Sequence, residues 1–337
     1  MLFLVRYGEI SLKSRQVRKQ FEKGLVRNIL ALCKKGGLDA SASMARGRIF
    51  IDGPKGVGKV LEKCFGVVSF SVILQCRSDI KEIELLVLKA AKEIRSSDSF
   101  RIKAKRQWKG FPLGSMKTEA LLGSAVVDAV GARVNLSKPD KTIHVEIAKN
   151  SSQVFSEKIA GPGGMPFGSA GKGILLLSGR DSALAGWLMM KRGMSVIALH
   201  VGDGKKRIKE MLGLLQALSA YAPGEIRFVL VPSKPGSEEE VFGLAEELRG
   251  KEKALGVVTG DLMKGALERK GAVYSPLVGL NEKEASELAE KTGIGKKRAR
   301  FDLSLVDFNS ASPVRLLVSD KDVRLAAVSQ RHQKRLN

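Results

Sequence analysis

The sequence predicts a multidomain chain of mixed class: two α+β units, then a doubly wound α/β sheet. Three observations predict it. Strand-like and helix-like runs alternate from the first residues onward. A Gly/Pro-rich stretch, AGPGGMPFGSAGK at 160–172, interrupts the alternation. Directly after it the apolar run Ile174-Leu175-Leu176-Leu177 leads through a small-residue turn into a helical repeat and a second apolar run, Ser195–Val201. That last pattern is a βαβ unit with a buried parallel strand at its start.

The 337 residues and 44% hydrophobic content suffice for two or three cored domains. No apolar run reaches the roughly 20 residues of a membrane span, so no membrane partner is expected. The opening MLFLVRYGEI carries too short an apolar segment for a signal peptide and reads as a first strand. Net charge is +23, and residues 1–150 hold 29 basic against 14 acidic side chains. An excess concentrated in the first half points to a polyanion. With aromatics at only 5%, folded RNA or duplex backbone fits better than a stacked single strand. Cys33, Cys64 and Cys76 form no CxxC pair. Neither zinc nor a disulfide framework is therefore expected, no metal-ligand set stands out, and a cytoplasmic, reducing setting follows.

Residues 1–55 read as strand, helix, strand, with Phe21, Leu25, Ile29 and Leu32 as the helix core face. So dense an alternation suggests a ferredoxin-like sandwich. Residues 56–160 read as a second α+β unit with helices near 80–94 and 117–130 and a hairpin over 142–158. Its most telling strand is Ser99–Arg106: Phe100, Ile102 and Ala104 face one way and Arg101, Lys103 and Lys105 the other. The cations then recur about 7 Å apart along one sheet face. A merely solvated face mixes both signs, yet no acid occurs from Arg101 to Gly110. Arg101, Lys103, Lys105 and Arg106, with Lys109 and Lys117 beyond, are the candidate RNA contacts.

Residues 161–172 are expected to be a linker and 173–295 a parallel sheet. Its strands fall near 174–177, 196–201, 227–231, 254–258 and 273–275. Ligands of such sheets bind at the carboxyl ends of the strands. Ser178-Gly179-Arg180-Asp181-Ser182 follows the first strand and Thr259-Gly260-Asp261 a later one, so both fall on that rim. A small-residue turn into a helix N-terminus suits a phosphate, although most such junctions bind nothing. His200 ends its own strand there; a lone histidine is more often structural. Residues 296–337 read as a basic extension, either solvated or a further RNA contact.

RYGEISLKSRQVRKQFEK, FRIKAKRQWKGFPLGS, GPGGMPFGSAGKGILLLSG, WLMMKRG, VVTGD and PLVGLNEKEASELAEKTGI together resemble the tRNA 4-thiouridine sulfurtransferase family along nearly the whole chain. The resemblance implies an N-terminal ferredoxin-like domain, a THUMP domain that binds the acceptor end of tRNA, and a PP-loop adenylating domain. It implies ATP and Mg²⁺, attack of a uridine carbonyl oxygen on the α-phosphate, then sulfur transfer to give 4-thiouridine. A link to thiamine thiazole formation is also implied. The implied site is Asp181 as the catalytic group, with Leu176, Leu177, Ser178, Gly179, Arg180, Ser182, His200, Gly260 and Arg269 around the nucleotide.

The chain departs from the family at three places. The family loop reads SGGxDS; here SGRDS is one residue and one glycine shorter. Either Arg180 supplies a phosphate cation instead, or the loop no longer binds ATP. Arg269 stands where a nucleotide-contacting glutamine is expected. No cysteine lies near Phe301-Asp302-Leu303, so no persulfide forms in that domain, and sulfide or an external donor must bring the sulfur. A homodimer is one expectation. The alternative is a non-catalytic tRNA-binding THUMP protein with a degenerate nucleotide site; a THUMP methyltransferase or deaminase fits less well, and a zinc deaminase lacks its Cys/His set.

Overall fold

The computed structural model describes residues 1–45, 48–234, 236–262, 271–295 and 313–326. In chain order its elements are β1 (Leu2–Arg6), α1 (Arg15–Lys35), β2 (Ser41–Ala45), β3 (Arg48–Asp52), α2 (Val57–Leu61), β4 (Ser69–Cys76), α3 (Ile80–Ala91), β5 (Ser99–Arg106), α4 (Ser115–Val130), β6 (Arg133–Val134), β7 (Lys141–Ile147), β8 (Ser152–Phe155) and β9 (Ile159–Ala160). There follow β10 (Lys172–Leu176), α5 (Arg180–Lys191), β11 (Ser195–Val201), α6 (Lys205–Ser219), β12 (Ile226–Val231), α7 (Glu238–Glu252), β13 (Val257–Val258), β14 (Val273–Tyr274), α8 (Glu282–Thr292), β15 (Val314–Val318) and β16 (Val323–Leu325). They divide into two compact units. The first holds Met1–Arg6, Leu38–Glu62 and Val68–Gly161; the second holds Tyr7–Gly37, Lys63–Val67 and the chain from Pro162 onward.

The first unit is built on one sheet in the order β2-β3-β1-β4-β8-β7-β5-β6, with β9 also paired to β4. The period-2 pattern of β5 is realised: Phe100, Ile102 and Ala104 bury against Ile83 and Val87 of α3 and Leu122 and Val126 of α4. Asp79 opens α3 by accepting hydrogen bonds from the N–H groups of Lys81 and Glu82 at 2.9 and 3.1 Å, the side-chain cap that a helix N-terminus favours.

The second unit carries a sheet in the order β14-β13-β10-β11-β12-β15-β16. Strands β10 to β14 run parallel, and β15 and β16 add antiparallel at the β12 edge. Leu175, Ala198 and Phe228 bury under α5 and α6, while Ile174, Ile197 and Val229 bury under α7. Burial on both faces is why these strands read as continuous apolar runs rather than alternating ones. Helix α1 belongs to this unit. Its Asn28 amide donates to the Phe167 carbonyl at 3.0 Å, and Lys35 Nζ donates to the Ser219 carbonyl at 2.6 Å.

Two stretches differ from their reading in the sequence. The Gly/Pro run is not a free tether: Met165 and Ala170 N–H groups bond the carbonyls of Lys191 and Gly193 at 2.9 Å each. Gly164 has φ of +79°, and a Cβ there would sit 2.1 Å from the Lys191 carbonyl oxygen, so only glycine permits this packing. Within 296–337, read as a basic extension, Val314–Val318 and Val323–Leu325 are sheet strands; Leu316 and Val318 are buried. Their apolar pattern is short and sits among cations, which hid it. Arg269, Lys296 to Arg300, Phe301–Leu303 and Arg331 to Arg335 lie outside the described residues.

Candidate functional site

In the second unit the chain order reverses at β10, which lies between β13 and β11. A crevice opens at the carboxyl ends of strands flanking such a switch point. Here it is a cavity of about 530 Å³, within the usual size of a small-molecule site. Leu176, Leu199 and Val201 form its apolar floor, with Val241 and Phe242 of α7 beside them. At its polar end stand Ser178, His200, Arg207 and Gly260, and the lining also carries the carboxylates Asp203, Glu238 and Asp261.

The two rim loops touch. A Cβ on Gly260 would lie 2.4 Å from the Ser182 amide nitrogen, so this glycine is what lets the loop after β13 meet the start of α5. Ser182 closes the turn on itself. Its Oγ accepts from the N–H groups of Ser178 (2.9 Å) and Gly179 (3.0 Å) and donates to the Gly179 carbonyl (2.8 Å). The shortened loop needs no left-handed residue after Gly179, because α5 begins directly at Arg180.

Of the candidate nucleotide residues, Leu176, Leu177, Ser178, His200 and Gly260 line the cavity, whereas Gly179, Arg180, Asp181 and Ser182 stand outside its wall. The reason is where α5 starts. Arg180 projects from its first turn toward α8, with Nε donating to Asp181 at 2.9 Å and Nη1 to Ser286 Oγ at 3.2 Å. Asp181, the expected catalytic group, is thus ion-paired with its own neighbour.

His200 is 7% exposed, and its Nδ1–H donates to the Leu177 carbonyl at 2.8 Å. That fixes the tautomer and leaves Nε2 as an acceptor, buried without a partner. Burial holds its pKa below the ordinary histidine value, with Arg207 adding to the effect against the Leu177 hydrogen bond. Sequence reasoning missed Arg207. Its guanidinium donates to the Ser178 carbonyl and, at 2.7 Å, to Glu210. The only signal was a basic residue in the first turn of a helix that follows a rim loop. Among the described residues no group of three or more His, Cys, Asp or Glu could hold a metal ion, and no helix is long and apolar enough to cross a membrane.

The first unit presents a cationic sheet face. Lys103 and Lys105 are exposed on the face of β5 opposite the core, and Arg101 is half-buried beside them with Nη1 on the Leu136 carbonyl at 3.0 Å. Arg106 donates to the carbonyls of Lys109 and Phe111 at 3.4 and 3.3 Å, so it holds the turn after the strand. Lys117 lies on α4, across the sheet from Lys103 and Lys105; Lys109 is exposed in the turn.

The register places further groups on the Lys103 face that the sequence reading omitted. Lys103 lies beside His144 and Lys105 beside Glu146, and His144 is opposite Phe155. Arg48 of β3 ion-pairs with Glu146 of β7, although β1, β4 and β8 intervene. In a flat sheet those strands would stand about 19 Å apart, so the sheet curls. Inside the curl Arg6 and Lys158 stand over the Phe155 ring at 4.7 and 5.9 Å, and His144 stacks on it at 4.9 Å. Burial, then Lys158, Lys103, Arg6 and Arg101, push the His144 pKa down to about 4. Burial and the crowding of Arg6 lower that of Lys158. This is a face short of negative charge.

Three family models match the chain in succession: the ThiI ferredoxin-like domain at residues 2–71, the THUMP domain at 77–157, and Thiamine biosynthesis protein (ThiI) at 168–250. A probable tRNA sulfurtransferase of Thermococcus kodakarensis is 32% identical over 333 residues, 86% of this chain and 87% of the relative. One from Methanocaldococcus jannaschii is 33% identical over 252 residues, 72% of this chain and 66% of the relative's own length. A solved 4-thiouridine synthetase–RNA complex with bound ATP shares the fold, with TM-score 0.73 and 24% identity, covering 89% of this chain and 88% of that one. A ferredoxin-like domain, a THUMP domain and a parallel-sheet domain thus follow one another here as they do in those proteins, and the chain belongs to the tRNA sulfurtransferase family.

Proposed function

We propose that this chain forms 4-thiouridine in tRNA, activating a uridine with ATP in the crevice of the second unit. The observation that carries this reading is the polar end of the cavity: a glycine-permitted meeting of two rim loops, a buried acceptor at His200 Nε2 and a cation at Arg207, above an apolar floor that suits a purine. A nucleotide fits these residues. The phosphates would lie by Ser178, Arg207 and the N-terminus of α5, whose dipole favours an anion. Asp181 would act from the first turn of that helix.

Mg²⁺ would neutralise developing charge on the phosphates. No preformed carboxylate cage exists for it among the described residues, so the nucleotide itself would supply most of its ligands, with the lining carboxylates Asp203, Glu238 and Asp261 inside the cavity and Asp181 just outside its wall. The reaction would proceed by attack of the uridine C4 carbonyl oxygen on the α-phosphate with release of pyrophosphate, then addition of sulfide at C4 and departure of AMP; a carrier persulfide would deliver the same sulfur only with a second thiol that leaves as a disulfide with the carrier. RNA would be gripped by the curled face of the first unit, including Lys103, Lys105, Arg6 and Lys158. The setting expected for tRNA modification is the cytoplasm. The family name ties the same sulfur chemistry to thiamine formation.

One observation favours a second reading, a tRNA-binding protein without turnover: Ser182 takes both loop N–H groups and Arg180 takes Asp181. A single assay separates them. Turnover predicts tRNA-stimulated release of pyrophosphate from ATP, reduced at least about tenfold in Asp181→Asn because a carboxylate that would help hold Mg²⁺ on the phosphates is lost. Tight tRNA binding with no pyrophosphate release at millimolar ATP selects the second reading.

A further inference from the structure

We propose that Arg207 is the phosphate-holding cation of this site, taking from helix α6 the role that a longer loop would fill with backbone N–H groups. The inference rests on the nucleotide reading above and deepens it. Three observations converge. The N–H groups of Ser178 and Gly179 are already bonded to Ser182 Oγ, so the loop has little to offer a phosphate. Arg180, the cation the sequence suggested, is turned to Asp181 and Ser286 and does not line the cavity. Arg207 does line it and is anchored at the loop itself by the Ser178 carbonyl.

The anchoring leaves capacity over. A guanidinium carries five N–H donors in a rigid fork, and the described contacts of Arg207 engage Ser178 and Glu210. Its side chain is 51% exposed. Glu210, one helical turn on, is the positioning residue. Gly179 is part of the same device: its φ of 169° suits any residue, but a Cβ there would come within 3.3 Å of Arg207 Nη2. A side chain at that position would make the guanidinium give by a few tenths of an ångström.

A cation that only braces the loop would affect every ligand alike, whereas a phosphate-holding one discriminates by charge. The test is calorimetry on the full chain with Mg-ATP, inorganic tripolyphosphate and adenosine. Arg207→Ala should weaken Mg-ATP and tripolyphosphate about tenfold or more and leave adenosine within twofold. Should that variant fail to fold, Arg207→Lys keeps the charge but loses the fork; it should retain part of the ATP affinity, again with adenosine unchanged. Equal losses for ATP and adenosine, or none for either, overturn the assignment while the nucleotide reading stands. A wild-type chain that binds neither ATP nor tripolyphosphate overturns both.

Discussion

At the scale of single residues, His144 is the most sensitive probe of the cationic face. Its imidazole stacks on Phe155 among Arg6, Lys103 and Lys158, and burial with this crowding holds its pKa down to about 4. An unfolded histidine takes up its proton near 6.5. The unfolded state therefore binds the proton first, and stability falls as pH drops from about 6.5 toward 4. A bound polyanion offsets the positive charge of Lys158, Lys103, Arg6 and Arg101, the part of the shift that burial does not cause, and should raise the folded value. A proton NMR titration of the His144 ring should find it near 4 in the free chain and shifted upward with tRNA present. Titration of the free chain near 6.5 would show that the ring is neither buried nor crowded. Arg6 belongs to the same cluster: it donates to Ser71 Oγ at 3.0 Å, while its Nη2 is buried without a partner.

Among the elements, β5 is where sequence and fold coincide. Its alternation of apolar and basic residues put Lys103 and Lys105 on the outer face before any coordinates, since a period of two admits only one arrangement against a packed core. Lys103→Glu with Lys105→Glu should weaken tRNA binding and flatten its salt dependence by roughly 1.4–1.8 in slope, two phosphate contacts' worth; an unchanged slope removes this strand from the interface. What the sequence did not reveal follows from the same logic. Arg106 looked like one more cation in the row, but its guanidinium serves carbonyls in the turn that follows. Arg6, Arg48 and Lys158 join the face only because the sheet curls, and no periodicity encodes a meeting between β3 and β7. In the crevice at the switch point the rim positions 178 and 260 are legible, because parallel strands place their following loops on one edge. Arg207 was not, because it reaches Ser178 across 29 residues. The side-chain directions of Arg180 and Asp181 depend on which residue opens α5, a boundary that composition leaves loose.

For the molecule as a whole, the decisive feature is that the nucleotide-fold unit draws part of its core from the first fifth of the chain. Phe65 is 1% exposed and packs between two aromatics, stacked on Tyr221 at 5.3 Å and edge-on to Trp187 at 5.4 Å. Those rings belong to α5 and to the turn after α6, the two elements that present the loop after β10 and Arg207. Helix α1 adds the Asn28 bond to Phe167 and the Lys35 bond to Ser219, which closes the carboxyl end of α6. The family model for this region begins only at residue 168, yet a fragment cut at Pro162 would lack α1 and residues 63–67 and leave Trp187 and Tyr221 uncovered. Such a fragment should melt well below the same unit in the intact chain and bind hydrophobic dyes. Phe65→Ala in the full chain should reproduce much of the defect, costing about 3–5 kcal/mol as expected for emptying a buried aromatic site. The loss should appear in the unfolding of the second unit, followed through Trp187, while His144 in the first unit keeps its titration. A 162–337 fragment as stable as the full chain would mean that the aromatic cluster closes without Phe65, and the early segments would then be ornaments on the nucleotide fold instead of part of its core.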